Sequence, residues 1–326
     1  MKVGFIVDDL GTFNIVKDST YMIMCAAQDK GWEINVFYLS ELFIINGDPK
    51  GNPFTIKVKK DKTPWYEVSA KKTNVSLTDL DCIFMRKDPP FDMEYIYVTY
   101  MLDLAKKAGV LIVNNPQALR DFNEKVAISY HPKYAPNTLI TRNYTEINKF
   151  YAKYKDIIVK PLDGMGGSSI FRIKDGDKNK AVILETLTKH ESSYIMVQDY
   201  QEAISQGDKR ILIVNGDPIK HVVARIPSDS DNRGNLAAGA TSEVREITDA
   251  EYKMAKKIGK KLKKQGVMLA GIDVIGDKLT EINITSPTCM REIYKATKIN
   301  IASLLMQAVE EKIIEMKQEQ SNEQSI

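Results

Sequence analysis

Two carboxylates and an amide stand close together in the stretch Gly271–Glu292, G-I-D-V-I-G-D-K-L-T-E-I-N-I-T-S-P-T-C-M-R-E. Short apolar runs flank Gly276-Asp277, a pair that favours a two-residue hairpin turn. Side chains alternate between the faces of a strand, so Glu281, Asn283 and Thr285 share one face and Ile282 and Ile284 the other. An antiparallel partner strand can bring Asp273 to the same place. Asp273, Glu281 and Asn283 are then a set of oxygen donors suited to a hard cation such as Mg²⁺, which also keeps water and phosphate oxygens as ligands. A plain surface hairpin with polar residues towards water would show the same spacing.

The cations that would accompany such chemistry lie upstream. Lys125 falls in a short predicted helix, and Lys160 ends the predicted strand Ile157–Lys160. Asp163-Gly164-Met165-Gly166-Gly167-Ser168-Ser169 follows, a glycine-rich turn between two strands whose backbone N–H groups can converge on an anion. Arg210 and Arg225 lie at one end of a predicted hairpin. Arg233 sits in a stretch, Pro227–Thr241, nearly free of large apolar residues, which reads as a mobile loop able to close over a site. Arg86-Lys87 follows the strand Asp81–Met85, at the carboxyl end where open α/β sheets bind ligands, and could clamp a substrate carboxylate. Metal ligands together with several cations are what phosphoryl transfer needs. The residues thus point to an enzyme dependent on ATP and Mg²⁺.

Composition narrows the class. The chain has 326 residues, 43% hydrophobic and 27% charged, with a net charge of +3. That is an ordinary globular composition, and the charge is too small to argue for nucleic acid. Cys25, Cys82 and Cys289 have no metal-ligand spacing, and no run is long enough for a signal peptide or a membrane span. The expected location is the cytoplasm, with neither nucleic acid nor membrane as partner.

The elements that must position these residues follow in order. Lys2–Val7, a helix over Ile15–Gly31 and Glu33–Leu39 make a β-α-β opening, hence a parallel sheet. No G-x-G-x-x-G follows the first strand, which removes the main support for a dinucleotide site. Residues 47–74 read as an inserted hairpin that serves as a sheet edge or a subunit contact. The helix Asp249–Gln265 carries an apolar stripe of Met254, Ile258 and Leu262, and its seven lysines read as a solvated face. Ile299–Ile314 is the last predicted helix. The organisation expected is an N-terminal α/β unit over 1–122, a central unit over 123–200, a C-terminal unit over 201–315 with its loop 227–241, and a frayed tail over 316–326.

Four motifs carry a family resemblance: M-R-K-D-P-P-F at Met85–Phe91, K-P-L-D-G-M-G-G-S-S-I-F at Lys160–Phe171, R-G-N-L-A-A-G at Arg233–Gly239, and L-T-E-I-N-I-T-S-P-T-C-M-R-E at Leu279–Glu292. Together they resemble bacterial glutathione synthetase, of the ATP-grasp superfamily, from Lys2 to about Lys312. The resemblance implies an α/β (α+β overall) ATP-grasp fold: an N-terminal parallel-sheet domain, a central lid domain and a C-terminal catalytic domain. It implies that ATP lies between the last two. Lys125, Lys160 and the turn of Gly164, Gly166 and Gly167 would meet its phosphates, Gln198, Asp199, Tyr200 and Gln201 its adenine, and Asp208 would help hold it. Asp273, Glu281 and Asn283 would hold Mg²⁺, with Mn²⁺ as a substitute. Arg86, Asn283, Ser286 and Thr288 would fix γ-glutamylcysteine, with glycine as acceptor. Arg210, Arg225 and Arg233 would stabilise the transferred phosphoryl group. A homotetramer is implied as well. Two other readings fit the residues: a different ATP-grasp carboxylate–amine ligase, or an ATP-binding module without chemistry.

Overall fold

The computed structural model describes residues 1–227 and 241–323. Arg233, the rest of its motif and most of the loop expected over 227–241 lie outside the described residues, as do residues 324–326.

The first unit is built on β1 (Lys2–Ile6), α1 (Ser19–Asp29), β2 (Glu33–Phe37), β3 (Leu42–Ile45), β4 (Asp48–Gly51), β5 (Phe54–Val58), β6 (Tyr66–Lys71), β7 (Val75–Ser76), β8 (Cys82–Met85), α2 (Met93–Lys107), β9 (Leu111–Val113) and α3 (Pro116–Asp121). Its main sheet has the order β6-β5-β2-β1-β8-β9. The pairs β2-β1-β8-β9 are parallel, and β5 and β6 extend the sheet as an antiparallel hairpin. The inserted hairpin is therefore at the sheet edge, as its alternating sequence suggested. The small sheet β3-β4-β7 beside it was not anticipated. Helix α1 begins four residues later than Ile15. Asp18 accepts a hydrogen bond from the Tyr21 N–H at 2.8 Å and is the N-cap, while Asn14 holds Val16 in a preceding turn.

The second unit contains β10 (Thr138–Thr141), α4 (Tyr144–Tyr154), β11 (Ile157–Pro161), β12 (Phe171–Ile173), α5 (Lys180–Thr188) and β13 (Ile195–Asp199). Its antiparallel sheet has the order β10-β13-β11-β12. Lys125 is not inside a helix; it stands at the N-cap of a 3₁₀ turn, Val126–Tyr130.

The third unit comprises β14 (Asp208–Val214), β15 (Asp217–Ile226), β16 (Thr241–Glu246), α6 (Asp249–Lys264), β17 (Leu269–Ile275), β18 (Lys278–Asn283), α7 (Met290–Thr297) and α8 (Ile301–Glu323). Its sheet order is β16-β15-β14-β17-β18. Thr248 and Glu251 close α6 with a reciprocal capping box, which contributes about 1 kcal/mol. Met254, Ile258 and Leu262 are buried, and the lysine face is solvated. Helix α8 runs to Glu323, so the tail expected to fray from Met316 is helical over most of its length. Lys317 there pairs with Asp81 at 2.6 Å.

The hydrophobic cores divide unevenly. Val3, Phe5, Ile23 and Met24 of the first unit share one core with Leu212, Met290, Ile301 and Met306 of the third. The central unit encloses its own, made of Ile147, Ile157, Val159, Ile173, Leu184, Leu187, Ile195 and Val197. The first and third units are thus joined by a common interior, and the central sheet keeps most of its apolar face to itself but sends Met196 into a second core shared with both.

Candidate active site

A row of charge crosses the sheet of the third unit. Asp208 lies opposite Arg225, and Arg210 opposite Asp273. Asp273 in turn lies opposite Glu281, and Gly271 opposite Asn283. The last two pairings need a β-bulge. From the turn, Ile275 pairs with Lys278 and Val274 with Leu279, so regular continuation would set Asp273 against Thr280. The ladder skips Thr280, whose hydroxyl donates to the Asp273 carbonyl at 3.2 Å. One extra residue re-aims every side chain beyond it. The bulge is what puts Glu281 and Asn283 on the face of Asp273 and sends Ile282 and Ile284 into the core.

The carboxylates and cations of this face are buried and matched. Arg210 makes a two-pronged ion pair with Asp273, with Nη2 at 2.8 Å from Oδ2. Arg225 Nη2 lies 2.9 Å from Asp273 Oδ2 and 2.5 Å from Asp208 Oδ2. Lys160 Nζ is 3.2 Å from Glu281 Oε1, and Lys125 Nζ is 3.9 Å from the same atom. Lys125 also donates to the Gly164 carbonyl at 2.6 Å, tying the glycine turn to the cleft. Burial opposes ionisation of Asp273, yet Arg210 and Arg225 hold its carboxyl well below the usual range. Glu281 is likewise lowered, Lys160 and Lys125 outweighing its burial. Asp208 moves the other way: burial and its neighbours Asp273 and Glu281 push it up against the pull of Arg225.

These residues form the floor of a cleft between the central sheet and the third unit. Gly164, Gly166 and Gly167 overhang it from the turn after Lys160, and Gln198, Asp199, Tyr200 and Gln201 line it beside Pro136, Ile158, Ile170, Ile204 and Ile275. Gly166 and Gly167 have φ of +65° and +75°, conformations glycine adopts without strain. Gln198 Nε2 donates to Thr138 Oγ1 at 3.1 Å, and Asn137 Nδ2 donates to Asp199 Oδ2 at 2.9 Å. Those bonds fix the segment that ends β13, so its backbone edges an apolar slot.

A second cleft opens at the carboxyl ends of β1 and β8, lined by Asp18, Thr20, Arg86, Asp88, Ser286 and Thr288 among others. Arg86 is 4% exposed. Its Nε donates to Thr20 Oγ1 at 3.0 Å and its Nη2 to the Pro287 carbonyl at 3.1 Å, and its Nη1 has no partner. The residues that follow β18 join the two clefts, since Asn283 lines the first and Ser286 and Thr288 the second.

The donor set on the hairpin fits a small hard dication. Asp273 and Glu281 are held ionised, Asn283 adds an amide, and Asn283 Nδ2 lies 3.4 Å from Asp273 Oδ2, which leaves its carbonyl oxygen uncommitted to that contact. Among the described residues no group of three or more acidic, histidine or cysteine side chains is placed to enclose a metal. A dication here would therefore complete its shell with water and phosphate oxygens, as Mg²⁺ does.

The described residues expected in the site line one cleft or the other, Arg86, Ser286 and Thr288 in the second and the rest in the first, except Lys87, which lines neither and pairs with Asp8 at 2.8 Å instead of completing a clamp with Arg86. Reading the sequence missed Glu124, which lines the first cleft and accepts from Thr285 Oγ1 at 2.6 Å. Burial raises its carboxyl. Its place beside Lys125 was the available signal. It also missed Asp18 and Asp88 of the second cleft.

Two sheets closing on a charged cleft, with a glycine turn over it, define an ATP-grasp ligase. Solved structures share the fold: D-cycloserine synthetase DcsG, with a TM-score of 0.67 at 12% identity over 96% of this chain and 100% of that one, and D-alanine-D-alanine ligase from Coxiella burnetii, at 0.62 and 13% over 100% and 98%. Within that class the chain belongs to the prokaryotic glutathione synthetase family, whose N-terminal domain model matches residues 1–120 and whose ATP-grasp domain model matches residues 124–298. It is 47% identical over 313 residues to the glutathione synthetases of Escherichia coli and Vibrio vulnificus, covering 96% of this chain and 99% and 98% of theirs.

Proposed function

We propose that the enzyme ligates γ-L-glutamyl-L-cysteine to glycine, converting ATP to ADP and phosphate and releasing glutathione. The cysteinyl carboxylate attacks the γ-phosphorus of ATP, and ADP leaves. The resulting acyl phosphate is attacked at its carbonyl carbon by the glycine amine, which loses a proton, and phosphate leaves as the amide forms. A free carboxylate is a poor acyl donor, and phosphorylation supplies the leaving group.

The residues take roles suited to their places. Lys125, Lys160 and the backbone of Gly164, Gly166 and Gly167 receive the phosphates. Gln198, Asp199, Tyr200 and Gln201 edge the adenine, and Asp208 helps hold the nucleotide. Arg210 and Arg225 exchange their carboxylate partners for the oxygens of the transferring phosphoryl group, and Arg233 joins them. Asp273, Glu281 and Asn283 would hold Mg²⁺ or Mn²⁺, which would supply positive charge to the phosphate oxygens. Arg86, Asn283, Ser286 and Thr288 fix the dipeptide so that its cysteinyl end reaches the first cleft. The central unit acts as a lid that excludes water from the acyl phosphate. The family resemblance supports a cytoplasmic homotetramer.

One observation supports this reading most strongly: the bulged hairpin sets Asp273 and Glu281 on one face, each held ionised by two cations, beside a second cleft with an unpaired buried arginine. Mass spectrometry of a reaction with ATP, Mg²⁺, γ-glutamylcysteine and glycine tests it. Glutathione should appear with one ADP each. A ligated product only with a different acid or amine would overturn the assignment.

A further inference from the structure

The two strands of the acidic hairpin are paired from Ile275 and Lys278 to Gly271 and Asn283, and there the ladder ends. Beyond that point a side chain of the first unit joins them. Asn114 directly follows β9 and is 3% exposed. Its Oδ1 accepts from the N–H groups of Met268 at 2.8 Å and Leu269 at 3.0 Å. Its Nδ2 donates to the carbonyls of Leu269 at 2.7 Å and Ile284 at 2.6 Å. A primary amide has two donor hydrogens and two acceptor lone pairs, and here all four are used. One side chain thus replaces the next rung of the ladder, gripping the start of β17 and the residue after Asn283.

The segment that runs on from β18 is fastened in the same manner. Thr285 Oγ1 donates to Glu124 at 2.6 Å, the Pro287 carbonyl accepts from Arg86 at 3.1 Å, and the Met290 N–H donates to Ser19 at 3.2 Å. Arg86 and Ser19, like Asn114, belong to the first unit. The neighbouring Asn115 also ties the first unit to the third, but away from the hairpin: its Nδ2 donates at 2.8 Å to the carbonyl of Gln265, the C-cap of α6.

We infer that Asn114 is a positioning residue for the ligation: by closing the open end of the acidic hairpin it sets Asn283 and the segment up to Thr288 in one fixed relation to each other. This rests on the proposed function, in which Asn283 serves the metal and Ser286 and Thr288 the dipeptide. Asn114 itself lines neither cleft. Acting through the backbone of Leu269 and Ile284, it keeps the cysteinyl carboxyl in line first with the nucleotide and then with glycine. A misplacement of about 1 Å remote from the chemistry lowers a rate on the order of 100-fold. A segment that drifts after phosphoryl transfer also exposes the acyl phosphate. Water then attacks its carbonyl carbon in place of glycine, phosphate leaves, and γ-glutamylcysteine is regenerated with ATP consumed.

The test compares Asn114→Ala with Asn115→Ala, each assayed at a temperature where circular dichroism shows it fully folded. Both remove side-chain ties between the same two units, so both should lower the melting temperature by several °C. Asn115→Ala should keep kcat within about 2-fold and one ADP per glutathione. Asn114→Ala should lower kcat on the order of 10–100-fold, leave KM for ATP within about 3-fold, and release about two or more ADP per glutathione. Asn114→Ser keeps one hydroxyl for the freed backbone groups and opens room for water. It should fold where the alanine variant does not, and shift rate and stoichiometry in the same direction by less. A lowered melting temperature alone in the Asn114 variants, with rate and stoichiometry kept, makes Asn114 an ordinary structural tie and overturns the inference. Equal losses of rate in the Asn114 and Asn115 variants overturn it as well. If the unaltered enzyme forms glutathione and only these comparisons fail, the positioning role alone is wrong. If it forms none, the proposed function is wrong.

Discussion

In the first cleft Lys125, Lys160, Arg210 and Arg225 already hold protein oxygens, those of Gly164, Glu281, Asp273 and Asp208. In the second, Arg86 meets only the neutral oxygens of Thr20 and Pro287 and keeps one arm unpaired. On the proposed function, the contrast follows from what each cleft would receive. Four buried cations side by side repel strongly in a low dielectric unless carboxylates separate them. A nucleotide polyphosphate with its metal brings charge of both signs, so the ion pairs can exchange partners without leaving charge uncovered. A dipeptide carboxylate would bring one negative charge to the second cleft, which the one unpaired arm of Arg86 suffices to meet.

The contrast can be broken most directly at Glu281. Glu281→Gln removes a proposed metal ligand and the counter-charge of two lysines together. Turnover should fall on the order of 100-fold or more and should not recover at saturating Mg²⁺. Steady-state rates across a Mg²⁺ series measure this, and near-normal activity would end the metal assignment. In the second cleft, Arg86→Met should raise KM for the dipeptide on the order of 10–100-fold and leave KM for ATP unchanged. Because it replaces an unpaired buried charge by an apolar chain, its melting temperature should equal or exceed that of the parent. A lowered melting temperature would show that Arg86 is a structural clamp.

A smaller effect is expected at Gly271. A methyl group there would sit 2.7 Å from Arg210 Cδ and 3.1 Å from Pro287 Cβ. Gly271→Ala should displace Arg210 and lower kcat about 10-fold, comparable to a weakened charge-stabilising donor. Melting temperature should fall as well, since Arg210 is held in a buried pair with Asp273 and the Pro287 ring cannot yield. The smallest effect concerns acid. Asp273 and Glu281 have folded-state values below their unfolded ones, so their contribution to stability is complete above the ordinary carboxylate range. It is lost as pH falls through the lowered values. Between pH 5 and pH 3 the nucleotide-free parent should therefore lose more melting temperature than Asp273→Asn does, by a few °C, on the order of 1 kcal/mol. Parallel curves would mean that the pairs of the first cleft contribute no acid-sensitive stability.

Much of this arrangement was readable from local chemistry. The Gly276-Asp277 turn, the glycine turn after Lys160, the stripe of α6 and the β-α-β opening all announce themselves through short-range spacing. What escaped is determined at a distance. The bulge at Thr280 has no signature in the alternation of its own strand, and regular pairing from the turn would have left Glu281 on the wrong face. Helix α7 was missed because its start is capped from elsewhere: the Met290 N–H donates to Ser19 Oγ at 3.2 Å, across 271 positions of chain. Strand β16 pairs along β15 at the edge of its sheet and is largely exposed, so its sequence carries no buried face to betray it. Asp18 falls inside the helix expected over Ile15–Gly31, and only the structure shows it as the N-cap of α1, with Arg86 nearby.

The separate interior of the central sheet has a consequence for how the enzyme lets go. Lys160, the glycine turn and the segment ending β13 ride on one body, and the acidic hairpin and the two arginines on another, with the core shared between them reached from the central sheet by Met196. A nucleotide lodged in the seam is then the mortar between two stones. Its departure and the parting of the stones become one event, so the lifetime of bound ADP would set the tempo of every cycle after the amide is made.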